Sequence, residues 1–390
     1  MTRRVSLRAT VVGVLLVGAG SVVAGGASQA APAAIDLDNP ELCGTCHTTV
    51  VAEWERSMHS MSHHDKDPIY GAMRELRMEK QGAEVGERCQ SCHNPRSPDD
   101  PDTAAGRAGV SCAACHAVES IDAAAGHGAL AFTYAEGTLF GPHDLPASAS
   151  PVHGVGDAPA HMTDGSSLCL ACHEATSTPS GAAACTTGPE HVALDGGVAC
   201  VTCHMPRVEG PSGPVSARAD HASHDFFGPH HAWNPDSPDF LGAAVSMSAA
   251  LSGQTASITL RNQAGHGFPT GFPGRLAVVV VKGLDADGQV VWKNFEADPM
   301  AESPSSVLNK VYVNAAGAPV PAAFSESLKR DNRLTPGETR ELTYTVPATV
   351  AVVEATLVFR LLPPPLAEAL SLSEAPEAQA KPIASARATR

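Results

Sequence analysis

The sequence predicts a multidomain chain: a mostly irregular region with short helices, followed by an all-β, immunoglobulin-like sandwich. Two contrasts in residue usage carry this. The cysteines and seventeen of the eighteen histidines lie between residues 35 and 235, where Gly, Pro, Ser and Asp clusters dominate and little β pattern is visible. Residues 240–362 hold no cysteine and one histidine, and repeat β-branched or alternating runs. A third observation concerns the interior. Aromatic residues make up only 4% of the 390, with 35 Gly and 31 Pro. Side chains alone are therefore poor filling for the first region, and something large, flat and apolar is needed there.

In the second region, Ala243–Leu251, Ala256–Asn262, Arg275–Val281, Gln289–Phe295, Glu338–Val346 and Val352–Leu361 read as strands. Turn signals at Asp285–Gly288 and Pro336-Gly337 punctuate them. Strands so spaced fit an antiparallel sandwich. Residues 363–390 are rich in Ala, Pro and Glu and read as disordered, with Leu366–Leu372 as a short helix. In the first region Asp67–Gln81 is the best helix, with Ile69, Met73, Leu76 and Met78 at near-helical spacing.

Residues 1–30 read as an export signal. Arg3, Arg4 and Arg8 precede an apolar run from Ala9 to about Gly26, and small residues at Ser28 and Ala30 mark a cleavage site. The alternative is an uncleaved anchor, since the run is near the lower limit for spanning a bilayer. With cleavage, no stable membrane anchor is expected and the protein is periplasmic or secreted. The formal net charge of -15 argues against nucleic acid. It suits an electropositive protein partner.

The chemistry lies in C-x-x-C-H, which occurs five times: Cys43–Cys46–His47, Cys89–Cys92–His93, Cys112–Cys115–His116, Cys169–Cys172–His173 and Cys200–Cys203–His204. Two cysteines three apart can each form a thioether to a porphyrin vinyl group, and the next residue then lies under the iron as an imidazole ligand. This is the attachment pattern of c-type haem. Zinc sites also use C-x-x-C pairs, but neither they nor disulfides require a histidine directly after the second cysteine. Five haem c groups would also supply the missing apolar filling, making residues 35–235 a pentahaem cytochrome domain and 240–362 the sandwich. The shortest separation between motifs, Cys89 to Cys112, predicts two haems in near contact. Cys185 stands apart as an unpaired thiol.

Thirteen histidines remain for the opposite iron faces. If every iron takes two strong ligands, the protein only exchanges electrons; one open face would admit small molecules. The segments Cys43–His59, Gly109–Ile121, Leu139–Pro142 with His153, Cys203–Pro206 and His224–Gly228 resemble the cytochrome c-554 family, and Gly265–Gly271 resembles multihaem cytochromes with a β domain. The founding carriers have four haems and no such domain, so the chain departs from them in both respects. The resemblance implies His59, His153, His224 and His266 as distal ligands. For the fifth, His231, His230, His143, His64 and His127 compete, with His231 favoured; Met58, Met61 and Met205 are weaker thioether candidates. The expected function is electron transfer between redox partner proteins. Its alternatives are an oxidoreductase acting on a small nitrogen or sulfur compound at one open haem, or a subunit of a homo-oligomer or cytochrome filament.

Overall fold

The computed structural model describes residues 35–192, 197–233 and 238–390. The signal segment, 1–30, lies outside them. The first region consists of short helices joined by turns: α1 (Pro40–Gly44), α2 (Thr48–Glu55), α3 (Pro68–Gln81), α4 (Glu84–His93), α5 (Ala104–Arg107), α6 (Cys112–His116), α7 (Ala160–Thr163), α8 (Ser167–His173), α9 (Thr187–Val192) and α10 (Cys200–His204). Three small ladders pin the connections. They pair β1 (Val118–Ile121) with β2 (Phe132–Tyr134), β3 (Thr138–Leu139) with β4 (Gly154–Val155), and β5 (Arg207–Glu209) with β6 (Asp220–Ala222).

Helix α3 forms where the periodicity predicts it. Asp67 accepts hydrogen bonds from the backbone N–H groups of Ile69 and Tyr70, satisfying two of the donors a helix start leaves free, and Pro68 occupies the first turn. Gly82 follows with φ of 101°, a conformation glycine adopts without a Cβ penalty.

The six expected strands all form, as β7 (Val245–Ser252), β8 (Thr255–Asn262), β9 (Leu276–Leu284), β10 (Val290–Lys293), β14 (Thr339–Thr345) and β15 (Val352–Arg360). Four more accompany them: β11 (Val307–Leu308), β12 (Lys310–Val313), β13 (Ser327–Asp331) and β16 (Lys381–Thr389). One sheet runs β10-β9-β15-β16 with β11 also on β9; a second runs β14-β8-β7; β12 and β13 pair separately. The inward rows of β8 (Ala256, Ile258, Leu260), β9 (Ala277, Val279, Val281) and β15 (Val353, Ala355, Leu357, Phe359) form one buried core. This is the period-two alternation of a half-buried strand.

Two readings change. Residues 363–390 are ordered. A helix, α12 (Pro364–Ala369), buries Leu366 and Ala367, and β16 pairs with β15 from Val352↔Thr389 to Phe359↔Lys381. Composition hid a strand made largely of small residues, whose Ile383 and Ala384 pack on the core. The two regions are also not packed independently. Ile69 and Met73, one turn apart on α3, belong to the sandwich core itself. Gln81 donates to the Ala323 carbonyl at 2.8 Å and Tyr312 to that of Ala183 at 2.8 Å.

Truncating a buried aliphatic side chain removes its transfer free energy and leaves a cavity. Ile69→Ala should therefore destabilise the protein by about 2–4 kcal/mol in chemical denaturation and loosen the sandwich with it. A loss below about 0.5 kcal/mol would show that α3 merely rests on the sheet.

Candidate functional site

Each C-x-x-C-H lies on a helical turn. In α4, α6, α8 and α10 the motif histidine is the last helical residue. At the first motif the His47 N–H bonds the Cys43 carbonyl at 2.8 Å and closes the same kind of turn. A helix turns once in about 3.6 residues, so the two cysteines share a face and the histidine follows on the same side.

Six of the histidines expected as ligands are held alike. The Nδ1–H of His93 donates to the Ser62 carbonyl at 3.1 Å, that of His116 to Phe140 at 2.7 Å, and that of His204 to Phe227. His153 donates to Gly154 at 2.8 Å, His224 to Ala222 at 2.8 Å and His266 to Gly267 at 3.0 Å. A carbonyl can only accept, so the proton sits on Nδ1 and the Nε2 lone pair is left for a metal. Burial lowers proton affinity to about 3 at His59 and to about 4 at His93 and His224, and lowers it also at His47, His116, His173 and His266. These rings are kept neutral, the form that binds metal.

The histidines also meet in pairs. His224 faces His116 with ring centroids 6.2 Å apart, His266 faces His204 at 6.2 Å, and His59 faces His173 at 6.3 Å. Stacking contact is much closer than this. Two imidazoles bound to one iron from opposite sides place their centroids about 6 Å apart, given metal–nitrogen bonds of about 2 Å. His153 lies beside the first motif, where its charge, after burial, lowers the proton affinity of His47. The residues thus fit haem c: paired cysteines on one turn, and neutral, tethered imidazoles with a free nitrogen.

His231 does not share this arrangement. Its Nδ1 accepts the Gly228 N–H at 3.2 Å, so its proton sits on Nε2, which is buried without a partner. Its ring packs 5.4 Å from Phe227 rather than opposite a motif histidine. At the second motif the His93 ring instead stacks on Tyr70, 3.7 Å away, and the Tyr70 hydroxyl is buried and unpartnered. Another histidine cluster, His63, His64, Asp65 and Asp102, brings its donor atoms within 4.8 Å of one another. Arg107 already satisfies both carboxylates, at 2.8 and 2.7 Å, and both nitrogens of His63 bond the backbone. His64 stands 3.4 Å from Asp65 through Nε2, and its Nδ1 is buried without a partner.

Sulfur contacts order the motifs in space. A neighbouring thiol raises the proton affinity of three motif cysteines: Cys43 does so at Cys112, Cys92 at Cys172 and Cys200 at Cys169. The first motif therefore adjoins the third, the second the fourth and the fourth the fifth. Between the second and third motifs α5 folds back, with the Asn94 side chain bonding the Gly106 carbonyl.

Four residues that spacing does not flag surround His224 and His266. Glu53 on α2 accepts the His224 N–H at 2.8 Å and pairs with His221 at 2.9 Å. Burial alone would lower the proton affinity of His221, but the Gly210 carbonyl and Glu53 outweigh it and raise it. Glu190 on α9 accepts the Gly267 N–H at 3.0 Å and the Thr270 hydroxyl at 2.8 Å, and is bridged by Arg333 at 2.6 Å. From the other side, Asn262 donates to the His266 carbonyl at 2.8 Å. Phe226 meets His59 edge-on at 4.3 Å and His224 at 5.7 Å, with its own φ at 48°. That left-handed conformation is strained in a non-glycine residue.

Residues 42–117 match the family described as cytochrome c554 and c-prime. No curated protein matches the chain. The crystal structure of a penta-haem cytochrome c552 from Thermochromatium tepidum superposes with a TM-score of 0.77 at 26% identity, covering 90% of this chain and 98% of that one.

Glu190→Ala removes the acceptor shared by Gly267, Thr270 and Arg333, a charge-assisted set worth about 2 kcal/mol or more. It should release His266 from His204 and convert one haem's worth of low-spin ferric signal to high-spin in low-temperature EPR. An unchanged spectrum would show that Asn262 alone fixes the loop.

Proposed function

Because the chain is a multihaem c-type cytochrome, we propose that it carries electrons through five covalently bound haems outside the cytoplasm. The proximal ligands are His47, His93, His116, His173 and His204. The distal ligands are His153 for the first motif, His224 for the third, His59 for the fourth and His266 for the fifth. The observation that carries this is the set of three histidine pairs whose centroids stand 6.2–6.3 Å apart. Five complete motifs, and a neighbour described as penta-haem over 98% of its length, support the count.

Haem supplies an iron that cycles between ferric and ferrous states. The chain's residues decide what that iron can do. Paired imidazoles close both faces to exogenous ligands and favour lower potentials than His/Met pairs do. The carbonyl tethers keep each ring oriented. The first motif adjoins the third, and the second and fifth adjoin the fourth; the charge of Cys115 in the third motif, after the neighbouring thiol and burial, also raises the proton affinity of Cys169 and Cys172 in the fourth, which supports an electron path through all five. The acidic surface suits a basic redox partner. Export rests on the basic and apolar character of residues 1–30. Among the described residues no helix is long and apolar enough to cross a membrane.

A second reading is favoured at the second motif. Among the described residues His93 has Tyr70 against its ring and no imidazole pair at about 6 Å. An open iron there would let the same wire feed reduction of a small nitrogen or sulfur compound. Intact-mass measurement of the exported protein should give five haems. EPR should give four low-spin ferric sites and one high-spin site that shifts with nitrite or cyanide. Five low-spin sites would remove the second reading; two or more high-spin sites would overturn the assigned histidine pairs.

A further inference from the structure

Helix α3 turns two faces to its surroundings. Ile69 and Met73 enter the sandwich core. Tyr70 and Arg74, each one residue further round, stand four apart and so share a second face. That face runs along α4. Tyr70 stacks on the His93 ring at 3.7 Å, at the C-terminal end of α4. Arg74 lies nearer the start of that helix, where its Nε would stand 3.2 Å from a Cβ on Gly86, a residue that has none. Gln90 sits between the two cysteines of the second motif. In the orientation that satisfies both ends of its amide, it accepts from Arg74 Nη2 at 3.2 Å and donates to the Pro98 carbonyl.

Each of these side chains keeps one donor without an acceptor. The Tyr70 hydroxyl and the Arg74 Nε are both sealed from solvent and unpartnered. A phenol holds its proton at neutral pH and a guanidinium is always charged, so both act as donors. Burying such groups unanswered is costly, the charged one most. Other arginines of this region are answered. Arg77 Nε donates to the Gln81 side chain at 3.1 Å, Arg96 pairs with Asp38 at 2.6 Å, and Arg107 pairs with Asp65 and Asp102. The acceptors that Tyr70 and Arg74 lack must come from a body that is negative, permanent and beside the second motif. A haem attached at Cys89 and Cys92 brings two carboxylates on its propionate arms. An exchangeable ligand on the iron fits less well, because Tyr70 lies against the proximal imidazole and not on the opposite face.

We propose that Tyr70 and Arg74 bind the propionates of the haem attached at Cys89 and Cys92, so that α3, rooted in the sandwich core, sets the charge around the second haem. This rests on the reading that the second motif carries haem. A charge-assisted bond from guanidinium to carboxylate is among the strongest a protein makes. Here Nη2 is given to Gln90, Nε is free for the carboxylate, and the phenol adds a neutral donor one helical turn away. Reduction adds an electron to the iron, so a positive charge at the haem edge favours the reduced state.

The test uses the holoprotein with Arg74→Gln, Arg74→Lys and Tyr70→Phe, haem content at each motif being read by intact mass and peptide mapping. Redox titration followed by EPR resolves the haems, and His93→Met, which changes a ligand, marks the signal of the second. Arg74→Gln should disfavour reduction of that haem about tenfold, a downward potential shift of about 59 mV for one electron. It should also move a propionate bending band in resonance Raman. Arg74→Lys, which keeps the charge, should restore most of the potential but not the band. Tyr70→Phe keeps the ring against His93 and stays informative if Arg74→Gln fails to mature. It should move a propionate band and lower the potential of the same haem by less. Unchanged potentials and bands in five-haem variants would overturn the proposal, as would effects of the two positions on different haems. So would a wild-type potential that shifts with added nitrite or sulfite and loses that response in Arg74→Gln, the mark of an exchangeable anion. A protein without haem at Cys89 and Cys92 would instead overturn the reading on which the proposal rests.

Discussion

The hydrogen bond from histidine Nδ1 to a backbone carbonyl is the interaction on which the rest of this molecule depends. It recurs at His93, His116, His153, His204, His224 and His266. Each bond fixes one tautomer and one ring orientation. For that to work, the carbonyls of Ser62, Phe140, Gly154, Ala222, Phe227 and Gly267 must themselves be held. The small ladders serve this end. Thr138 and Leu139 pair with Gly154 and Val155 beside His153, and Arg207–Glu209 pair with Asp220–Ala222 just before His224. What looks like irregular chain is a set of short braces, each setting one carbonyl.

A second layer fixes the loops rather than the rings. Glu53 and Glu190 take backbone N–H groups at His224 and just after His266, and each carboxylate also has a cationic or ionisable partner, His221 or Arg333. The loops that carry His224 and His266, one from each region, are held by the same device. Phe226 couples two pairs more directly, touching His59 and His224 at once.

Local chemistry was legible in the sequence, and tertiary coincidence was not. The cysteine turns and the motif histidines follow from spacing of four and five residues. The six long strands follow from alternation, and α3 from Asp67, Pro68 and an apolar face. Strand β16 escaped because small residues such as Ala384 and Ala386 alternate without looking hydrophobic. Histidine abundance could not separate His224 from His231, because the difference lies in which nitrogen the local backbone engages. The contact between Cys43 and Cys112 joins segments 69 residues apart in number, and only packing decides it.

Helix α3 offers Ile69 and Met73 to the sandwich core while Tyr70, between them, lies flat against His93. A single helix thus serves as a beam common to both regions, where two domains meeting through a polar interface would be free to swing. Electron tunnelling weakens steeply with every ångström added between donor and acceptor. A beam that holds the spacing constant makes the transfer rate a property of the fold, indifferent to solvent viscosity and to the slow breathing that governs hinged redox proteins.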